Sequence, residues 1–400
     1  MSLPGLPEGA LAGVRVIDLT RILSGPFCTM TLADLGADVI KIEPPGRGDP
    51  VRAQGTMVEG LSWYFAAFNR NKRSLTLDLR QDAGRAVLAE LLAGADVLVE
   101  NFRPGTLDKM GLSAERLEAI NPRLIVCSIN GFGSSGPYAD RPAFDFIAQA
   151  MSGFMSVNGA PDQPPMRTAP PMSDLVAGLY GALGVVSALQ ARAATGRGQR
   201  IETALTNGLI SMLAYLSSEF FATGAVPERT GNDHPLVAPY GLFQAADGTV
   251  AVAPSNDTFV RRFLEAIELG HLLDDPRYDD NAKRMARRGE LKELIDARMA
   301  PEPRAHWIEK LNAAGVPCGR VKDLAEVFDD PQVLSQEMVL EIDQGDGRVV
   351  RTTGFPIKLA DTPCAVHRPV PDLGAHTDDV LAELGYEAEA IAGLRGDGAV

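Results

Sequence analysis

Short apolar runs alternate with helical segments along the first part of the chain. The runs VRVIDLT, DVIKIEP, RSLTLDL, DVLVENF and RLIVCSIN have the Val, Ile and Leu content of buried strands. Segments of helical composition lie between them, among them CTMTLADLG and QDAGRAVLAELLAGA. Strands joined by helical crossovers form a mostly parallel sheet covered by helices. The pattern therefore predicts an α/β fold with a large Rossmann-like domain that begins with residues 1–205.

The pattern changes after this region. An apolar helix is predicted from TALTNGLISMLAYLSSEFFATG, and residues 206–225 of it are expected to link two domains. Residues 226–328 carry more charge and include YGLFQAADGTVAVAP, which predicts two strands around an Asp-Gly turn. Charged helices are predicted around TFVRRFLEAIEL and RRGELKELIDARM, so this part is expected to form a smaller α+β domain. Residues 329–400 are predicted to be a linker and helices that return to the large domain.

Composition and charge exclude several classes of protein. A hydrophobic content of 45% and a charged content of 22% are typical of a globular chain, and the net charge of −14 disfavours nucleic acid and anionic membranes as partners. No CxxC, HxH or HExxH pattern occurs, so neither a disulfide framework nor a metal site is expected. The first residues lack the pattern of a signal peptide, and no long uninterrupted apolar run predicts a membrane span. We expect a cytoplasmic protein.

A literal G-x-G-x-x-G, GFGSSG at residues 131–136, suggests dinucleotide binding. The motif follows the fifth predicted strand, and Pro137 comes next, without the immediate helix that would present N–H groups to a pyrophosphate. We favour a glycine-rich loop over an NAD site.

Basic residues follow the carboxyl ends of predicted strands despite the acidic total. Arg47 and Arg52 come after the second strand, Arg103 comes after the fourth, and NRNKRS adds further cations. Ligands of open parallel sheets bind at this edge, so a polyphosphate ligand is expected there. The alternative is ordinary solvated surface charge.

One acid stands at the head of a long apolar run: Asp174 in TAPPMSDLVAGLYGALGVVSAL. The simplest interpretation is a helix N-cap, because Asp is preferred at that position. The G-x-S-x-G of serine hydrolases does not occur, which disfavours hydrolysis by a catalytic triad.

Seven blocks in order carry a family resemblance over nearly the whole chain: VIDLTRILSGPFCTMTLADLGADVIKIEPPGRGD, NRNKRSLTLDL, ADVLVENFRPGTLDKMGL, SINGFGSSGPYADRPAFDFIAQAMSG, TGRGQRIETAL, GVPCGRV and LGAHTDDVLAELG. Together they resemble the family III CoA-transferases, the group that includes formyl-CoA transferase and carnitine CoA-transferase. The resemblance implies an interlocked homodimer whose Rossmann-like domain is built from both chain ends. Its partners would be an acyl-CoA and a carboxylic acid acceptor, with coenzyme A as a substrate and no permanently bound cofactor.

The resemblance assigns Asp174 as a nucleophile that forms an aspartyl anhydride and then an aspartyl-CoA thioester. A carboxylate isolated from other acids is ionised at neutral pH and needs no base, so we expect Asp174 to be isolated. Some members carry glutamine where Leu23 stands. The segments that resemble the CoA pocket contain Arg21, Ile22, Leu23, Ser24, Lys72, Arg73, Asn101, Phe102 and Arg103.

The related 2-methylacyl-CoA racemases carry a histidine where this chain has Phe144. A phenyl ring cannot transfer a proton, so a racemase is the second hypothesis, and a CoA-binding protein without activity is the third. The glycine-rich loop of formyl-CoA transferases is replaced by RTGNDHPLVAPYG, which disfavours formyl or oxalyl groups. We expect small dicarboxylates with succinyl-CoA as donor. Arg141, Arg167 and His234 are the candidates to hold the distal carboxylate, and Asp145 beside them is expected to be mainly structural.

Overall fold

A computed structural model describes residues 8–400. The chain folds into two compact units. The first contains residues 8–154, 167–222 and 331–400, and the second contains Met155–Met166 and Thr223–Asp330.

The strands are β1 (Arg15–Asp18), β2 (Asp38–Glu43), β3 (Met57–Val58), β4 (Leu61–Ser62), β5 (Lys72–Thr76), β6 (Val97–Glu100), β7 (Ile125–Asn130), β8 (Arg200–Ala204), β9 (Gly241–Ala245), β10 (Gly248–Val252), β11 (Cys318–Arg320), β12 (Val339–Asp343) and β13 (Val349–Thr353).

The α-helices are α1 (Ser24–Asp34), α2 (Trp63–Asn69), α3 (Asp82–Ala93), α4 (Thr106–Lys109), α5 (Ala114–Ile120), α6 (Asp145–Met151), α7 (Met172–Thr195), α8 (Leu205–Ser211), α9 (Tyr215–Thr223), α10 (Asp257–Ala266), α11 (Asn281–Ala286), α12 (Arg288–Met299), α13 (Arg304–Ala313), α14 (Leu324–Phe328), α15 (Pro331–Ser335), α16 (Thr377–Glu383) and α17 (Ala388–Gly396).

A six-stranded sheet in the order β5-β2-β1-β6-β7-β8 organises the first unit, and all of its neighbouring strands are parallel. The five strands expected from the sequence are present, which confirms the mixed α/β fold. Strands β2 and β6 are buried along their whole length, because helices cover both faces of a parallel sheet.

The sixth strand, β8, was not expected. It pairs with β7 from Val126↔Arg200 to Asn130↔Ala204. Its sequence RIETA alternates exposed and partly buried positions, as an edge strand does, and so lacks the continuous apolar run that marked the others. The long helix predicted after it is also wrong in extent: α8 and α9 are separate helices, and Ala214 between them has a φ of +50°.

Each face of the sheet has its own hydrophobic core, since successive strand residues point to opposite sides. One core gathers Ile17, Ile40 and Leu98 with residues of α3 and α5 and of the C-terminal helices α16 and α17. The other gathers Val16 and Val39 with residues of α1 and α7.

The second unit contains the predicted hairpin. Strands β9 and β10 pair antiparallel from Gly248↔Ala245 onward, and β11 adds to the other side of β10. The predicted charged helices are α10 and α12, and their apolar sides enclose a core around Trp307 and Phe263.

Helix α7 packs unusually close to α1. A Cβ atom added to Gly178 would lie 2.6 Å from the backbone oxygen of Ser24, so only glycine fits without displacement. In the described chain, α7 is the helix whose length and composition would suffice to cross a membrane. Its buried residues, which include Ala177 and Val185, belong to the core of the first unit.

We predict that Gly178→Ala destabilises the protein by about 1–3 kcal/mol, because the added methyl group must push α1 and α7 apart. The matched control is Gly393→Ala in α17, where nothing lies within 4 Å of the added atom. That change should stabilise by about 0.5–1 kcal/mol through helix propensity. Urea unfolding of both variants measures the difference, and equal effects would contradict the packing argument.

Candidate functional site

Asp174 lies in the first turn of α7. The helix begins at Met172, its N-cap is Pro171, and no side chain caps it. The interpretation of Asp174 as an N-cap is therefore wrong. The carboxylate instead lies where the helix dipole favours negative charge.

Two neighbouring residues shift the pKa of Asp174 in opposite directions. Burial and then the charge of Asp145 raise the pKa of Asp174 to about 7, and a hydrogen bond from the Ser24 hydroxyl opposes this rise. The expectation that Asp174 is isolated from other acids is thus wrong, because the charge of Asp145 acts on it. The second carboxylate is that of Asp145, which is remote in sequence and acts on Asp174 through its charge. Asp174 changes its charge close to neutral pH.

Asp145, the first residue of α6, is tied to the start of α7. Its Oδ1 accepts hydrogen bonds from the Ser173 backbone N–H at 3.0 Å and from the Ser173 hydroxyl at 2.9 Å. Its Oδ2 accepts one from Gln149 Nε2 at 2.8 Å and lies 4.0 Å from Arg167 Nη1. Asp145 therefore fixes the residue next to Asp174 as well as raising the pKa of Asp174.

The loop between β1 and α1 brings several of the CoA-pocket candidates together. The Arg21 backbone N–H donates to Asn101 Oδ1 at 2.9 Å, and Asn101 Nδ2 donates to the Arg21 oxygen at 2.8 Å. Asn101 Nδ2 also lies 3.4 Å from Ser24 Oγ, and the Arg21 guanidinium lies 5.6 Å from the centre of the Phe102 ring. Segments 80 residues apart thus meet at the carboxyl ends of β1 and β6.

The structure does not direct Lys72 and Arg73 toward this loop surface. Lys72 is fully buried, and its ammonium group donates to Asp18 Oδ2 at 3.1 Å, to the Pro26 oxygen and to Asn69. Arg73 forms ion pairs with Asp38 and Glu383. Both cations are engaged inside the first unit, whereas Arg103 is exposed.

The candidate substrate residues lie in different places. The exposed Arg141 stacks 4.0 Å from the centre of the Tyr138 ring, and Arg167 is half exposed beside Asp145. His234 belongs to the second unit, where its ring lies 5.0 Å from that of Tyr240.

The GFGSSG loop is followed by a helix only at Asp145. The Ser134 backbone N–H donates to the carboxylate of Glu202 at 3.0 Å, so an acid faces the loop where a phosphate would bind. Among residues 8–400, no group of three or more His, Cys, Asp or Glu side chains is arranged to hold a metal ion.

Sequence reasoning missed Tyr64, on which the charge of Asp174 acts, and Asp49, which contacts the loop between β1 and α1. Burial, followed by the charges of Asp174 and Asp49, raises the pKa of the half-buried Tyr64 in α2. Asp49 is the last residue of the first block that carries the family resemblance, but no role was predicted for it, and its carboxylate accepts the Ile22 backbone N–H at 3.1 Å. Neither residue belongs to a motif that would have predicted this placement.

Comparisons with known proteins give a consistent result. Residues 11–377 match the family described as CoA-transferase family III. The acetyl-CoA:oxalate CoA-transferase of Acetobacter aceti is 42% identical over 358 residues, which cover 89% of this chain and 91% of that protein. The succinate–glutarate CoA-transferase of Agrobacterium fabrum is 39% identical over 94% of this chain and 95% of its own length. The crystal structure of a CAIB/BAIF family protein from Brucella suis is 40% identical, covers 94% of this chain and 100% of its own, and superposes with a TM-score of 0.84.

We predict that Asp145→Asn lowers the pKa of Asp174 below about 7, because it removes the nearby charge and keeps an oxygen that can accept the Ser173 hydrogen bonds. NMR titration of the carboxyl carbons in ¹³C-Asp-labelled protein measures this, with the spectrum of Asp174→Asn assigning the signal. An unchanged or higher midpoint would contradict the coupling.

Proposed function

This chain belongs to CoA-transferase family III, and from that premise we propose that it transfers CoA from an acyl-CoA donor to a small dicarboxylic acid through covalent intermediates on Asp174. The observation that carries the proposal is the placement of one carboxylate, half-buried in the first turn of α7, beside the Ser24 hydroxyl that lowers its pKa and near the charge of Asp145 that raises it.

The proposed chemistry consists of acyl transfers that need no water, metal or redox partner. A carboxylate oxygen of Asp174 attacks the thioester carbon, the C–S bond breaks, and CoA thiolate leaves behind a mixed anhydride. The thiolate attacks the aspartyl carbonyl carbon, the donor acid departs as its carboxylate, and an aspartyl-CoA thioester remains. An acceptor carboxylate then reverses the two steps and leaves as the new acyl-CoA.

The electrostatics of Asp174 suit both halves of this cycle. With a pKa of about 7, a large fraction of the group is an anion at neutral pH and can attack. The hydroxyl of Ser24 is a donor at the carboxylate, where each tetrahedral intermediate develops an oxyanion. We infer that partial burial also limits the access of water to the anhydride.

For the CoA pocket, we propose the surface formed by Arg21, Ile22, Leu23, Ser24, Asn101, Phe102 and Arg103. The hydrogen bonds between Arg21 and Asn101 support it, as does the approach of Arg21 to the Phe102 ring. Lys72 and Arg73 lie inside the domain, so we propose that they act on this pocket through the strands and loops that they hold.

The substrates are proposed from chemistry and relatives together. The Agrobacterium relative is named for succinate and glutarate, and the Acetobacter relative for acetyl-CoA and oxalate. We propose a succinyl-CoA-like donor and a dicarboxylate acceptor, with oxalate restored as a candidate by that relative. Arg167 is the favoured residue for the distal carboxylate, because it is half exposed and lies 4.0 Å from Asp145 at the start of α7. The roles of Arg141 and His234 stay predictions.

We also propose a homodimer, interlocked as in the family, whose large domain combines both chain ends. Helices α6 to α9 expose large apolar side chains, among them Phe146, Leu179, Leu183, Ile210 and Phe221, and Phe221 is 81% exposed. An apolar surface of this extent is typical of an interface. We place the enzyme in the cytoplasm.

We predict that Asp174→Asn abolishes CoA transfer, by more than about 10³-fold in kcat, because the amide cannot act as the nucleophile. Mass spectrometry of the parent protein mixed with succinyl-CoA should find CoA attached at Asp174 and removable by hydroxylamine. The variant should fold, since Asn keeps the size of the side chain and removes a half-buried charge.

Turnover by the parent without any adduct would contradict the covalent mechanism. Incubation in heavy water without an acceptor acid tests the racemase alternative, which would bring deuterium into the α-position of a 2-methylacyl-CoA.

We predict that Leu183→Glu prevents assembly of the proposed dimer as the chains fold, because it places a charge in the middle of the exposed apolar face of α7. Leu183→Met preserves size and polarity and is the control. Analytical ultracentrifugation measures the mass, and an unchanged dimer with glutamate at this position would place the interface elsewhere.

A further inference from the structure

Ile22 adopts a backbone conformation that its side chain disfavours. Its φ is +70°, in the left-handed region, which branched residues avoid because Cβ and its substituents crowd the backbone. Such conformations persist only where surrounding contacts enforce them, and they are frequent at functional sites.

The contact that enforces it comes from Asp49. Both carboxylate oxygens of Asp49 lie within hydrogen-bond distance of the Ile22 backbone N–H, at 3.1 and 3.2 Å. Asp49 Oδ2 accepts from Lys41 Nζ at 2.9 Å, and Lys41 also donates to the Thr20 oxygen at 2.8 Å. Lys41 and Asp49 are buried, so this pair is shielded from competition by water.

Asp49 itself has little freedom to move. Its backbone N–H donates to Glu43 Oε1 at 2.9 Å, and its Oδ1 accepts the Val51 backbone N–H at 3.2 Å. The carboxylate is therefore a fixed acceptor toward which the Ile22 N–H must point.

The direction of the chain at Ile22 determines where Ser24 lies, two residues later. Ser24 begins α1, its backbone oxygen lies against Gly178 of α7, and its hydroxyl is close enough to the Asp174 carboxylate to lower the pKa of that group. The loop is held by Lys41 at Thr20 and by Asn101 at Arg21. Asp49 makes the hydrogen bond to the backbone of Ile22 itself, between those supports and Ser24, while the Ile22 side chain packs on the cluster that includes Val51 and Phe65.

On the premise that Asp174 is the nucleophile, we propose that Asp49 is a positioning residue of the transfer reaction. Together with Lys41, it holds Ile22 in the left-handed conformation and thereby keeps the Ser24 hydroxyl at the Asp174 carboxylate. Asp49 acts through the loop and Ser24, and we assign it no contact with substrate.

The competing explanation is that Asp49 only neutralises the buried Lys41. The two explanations differ in what glycine at position 22 should do. Glycine adopts a positive φ without strain, so a glycine loop needs the Asp49 contact far less, whereas it does nothing for an unpaired Lys41.

The test is a double-mutant cycle of Asp49→Asn, Ile22→Gly and the combination, measured as CoA transfer per folded enzyme. We expect Asp49→Asn to lower kcat on the order of 10–100-fold when Ile22 is present, because the Ser24 hydroxyl would move away from the Asp174 carboxylate. The KM for acyl-CoA should change little. In the Ile22→Gly background, the same change should cost only a small part of that factor. Equal losses in both backgrounds would overturn the proposal.

The pH profile gives a second readout that loss of stability alone would not move. Asp145, Ser24 and Tyr64 face Asp174, and Lys41, Glu43 and Tyr64 face Asp49. Without the Ser24 hydrogen bond, the pKa of Asp174 rises, so the acidic limb of kcat/KM should move to higher pH in Asp49→Asn and return in the double variant. An unmoved limb counts against the proposal.

Asp34→Asn is the matched control. It breaks the buried pair between Asp34 and Arg70 in the same unit, and Asp34 has no hydrogen bond to residues 20–24. It should lower stability and leave kcat and the pH profile unchanged, and a matching loss of kcat in this variant would overturn the proposal. Should Asp49→Asn fail to fold, Asp49→Glu keeps the charge opposite Lys41 and carries the same cycle.

The proposed function and this inference fail separately. Absence of an aspartyl adduct in the parent protein would refute the role of Asp174. An adduct formed at the parental rate by Asp49→Asn would refute the role of Asp49 and leave that of Asp174 intact.

Discussion

Two lysines buried within the parallel sheet hold the first unit and its site together. Lys72 on β5 and Lys41 on β2 are fully buried, and each is paired with a buried carboxylate, Asp18 for Lys72 and Asp49 for Lys41. Burial lowers the pKa of Lys72 to about 8, although the charge of Asp18 opposes this. Removing one member of such a pair leaves a charge without a partner in the interior, which costs far more than the pair contributes. Strands, loop and helix α1 are therefore fixed together.

The raised pKa of Asp174 makes the free energy of unfolding depend on pH. The pKa of Asp174 is about 7 in the folded protein, against 3.8 for an ordinary aspartate. Between these two pH values the folded protein holds a proton that the unfolded chain has released. The free energy of unfolding contributed by this group therefore decreases as pH rises through that interval. The nucleophile is most reactive in the charge state that the fold tolerates least, as is common for functional residues.

The sequence predicted those elements whose signal is local. Buried parallel strands are continuous apolar runs, and so five strands could be found, whereas the half-exposed RIETA of β8 could not. The sequence NRNKRS reveals a cluster of positive charges but not the carboxylates that pair with them. In the structure, Lys72 and Arg73 form ion pairs with Asp18 of β1 and Asp38 of β2. The proximity of Asp145 to Asp174 and the left-handed φ of Ile22 depend on tertiary contacts, which composition and periodicity do not record.

The two influences on Asp174 come from different elements, and this separates them physically. Ser24 reaches the carboxylate from α1, which can approach α7 so closely because residue 178 is glycine. Asp145 reaches it from α6 and is held by Ser173 and Gln149. Burial raises the pKa of Asp174 most, the charge of Asp145 raises it further and the Ser24 hydroxyl lowers it, so two separately anchored side chains adjust a pKa that burial has already raised. A change in the β1–α1 loop can therefore alter the reactivity of the carboxylate without moving α7 itself, whereas the loss of Asp145 would also release Ser173 at the start of α7.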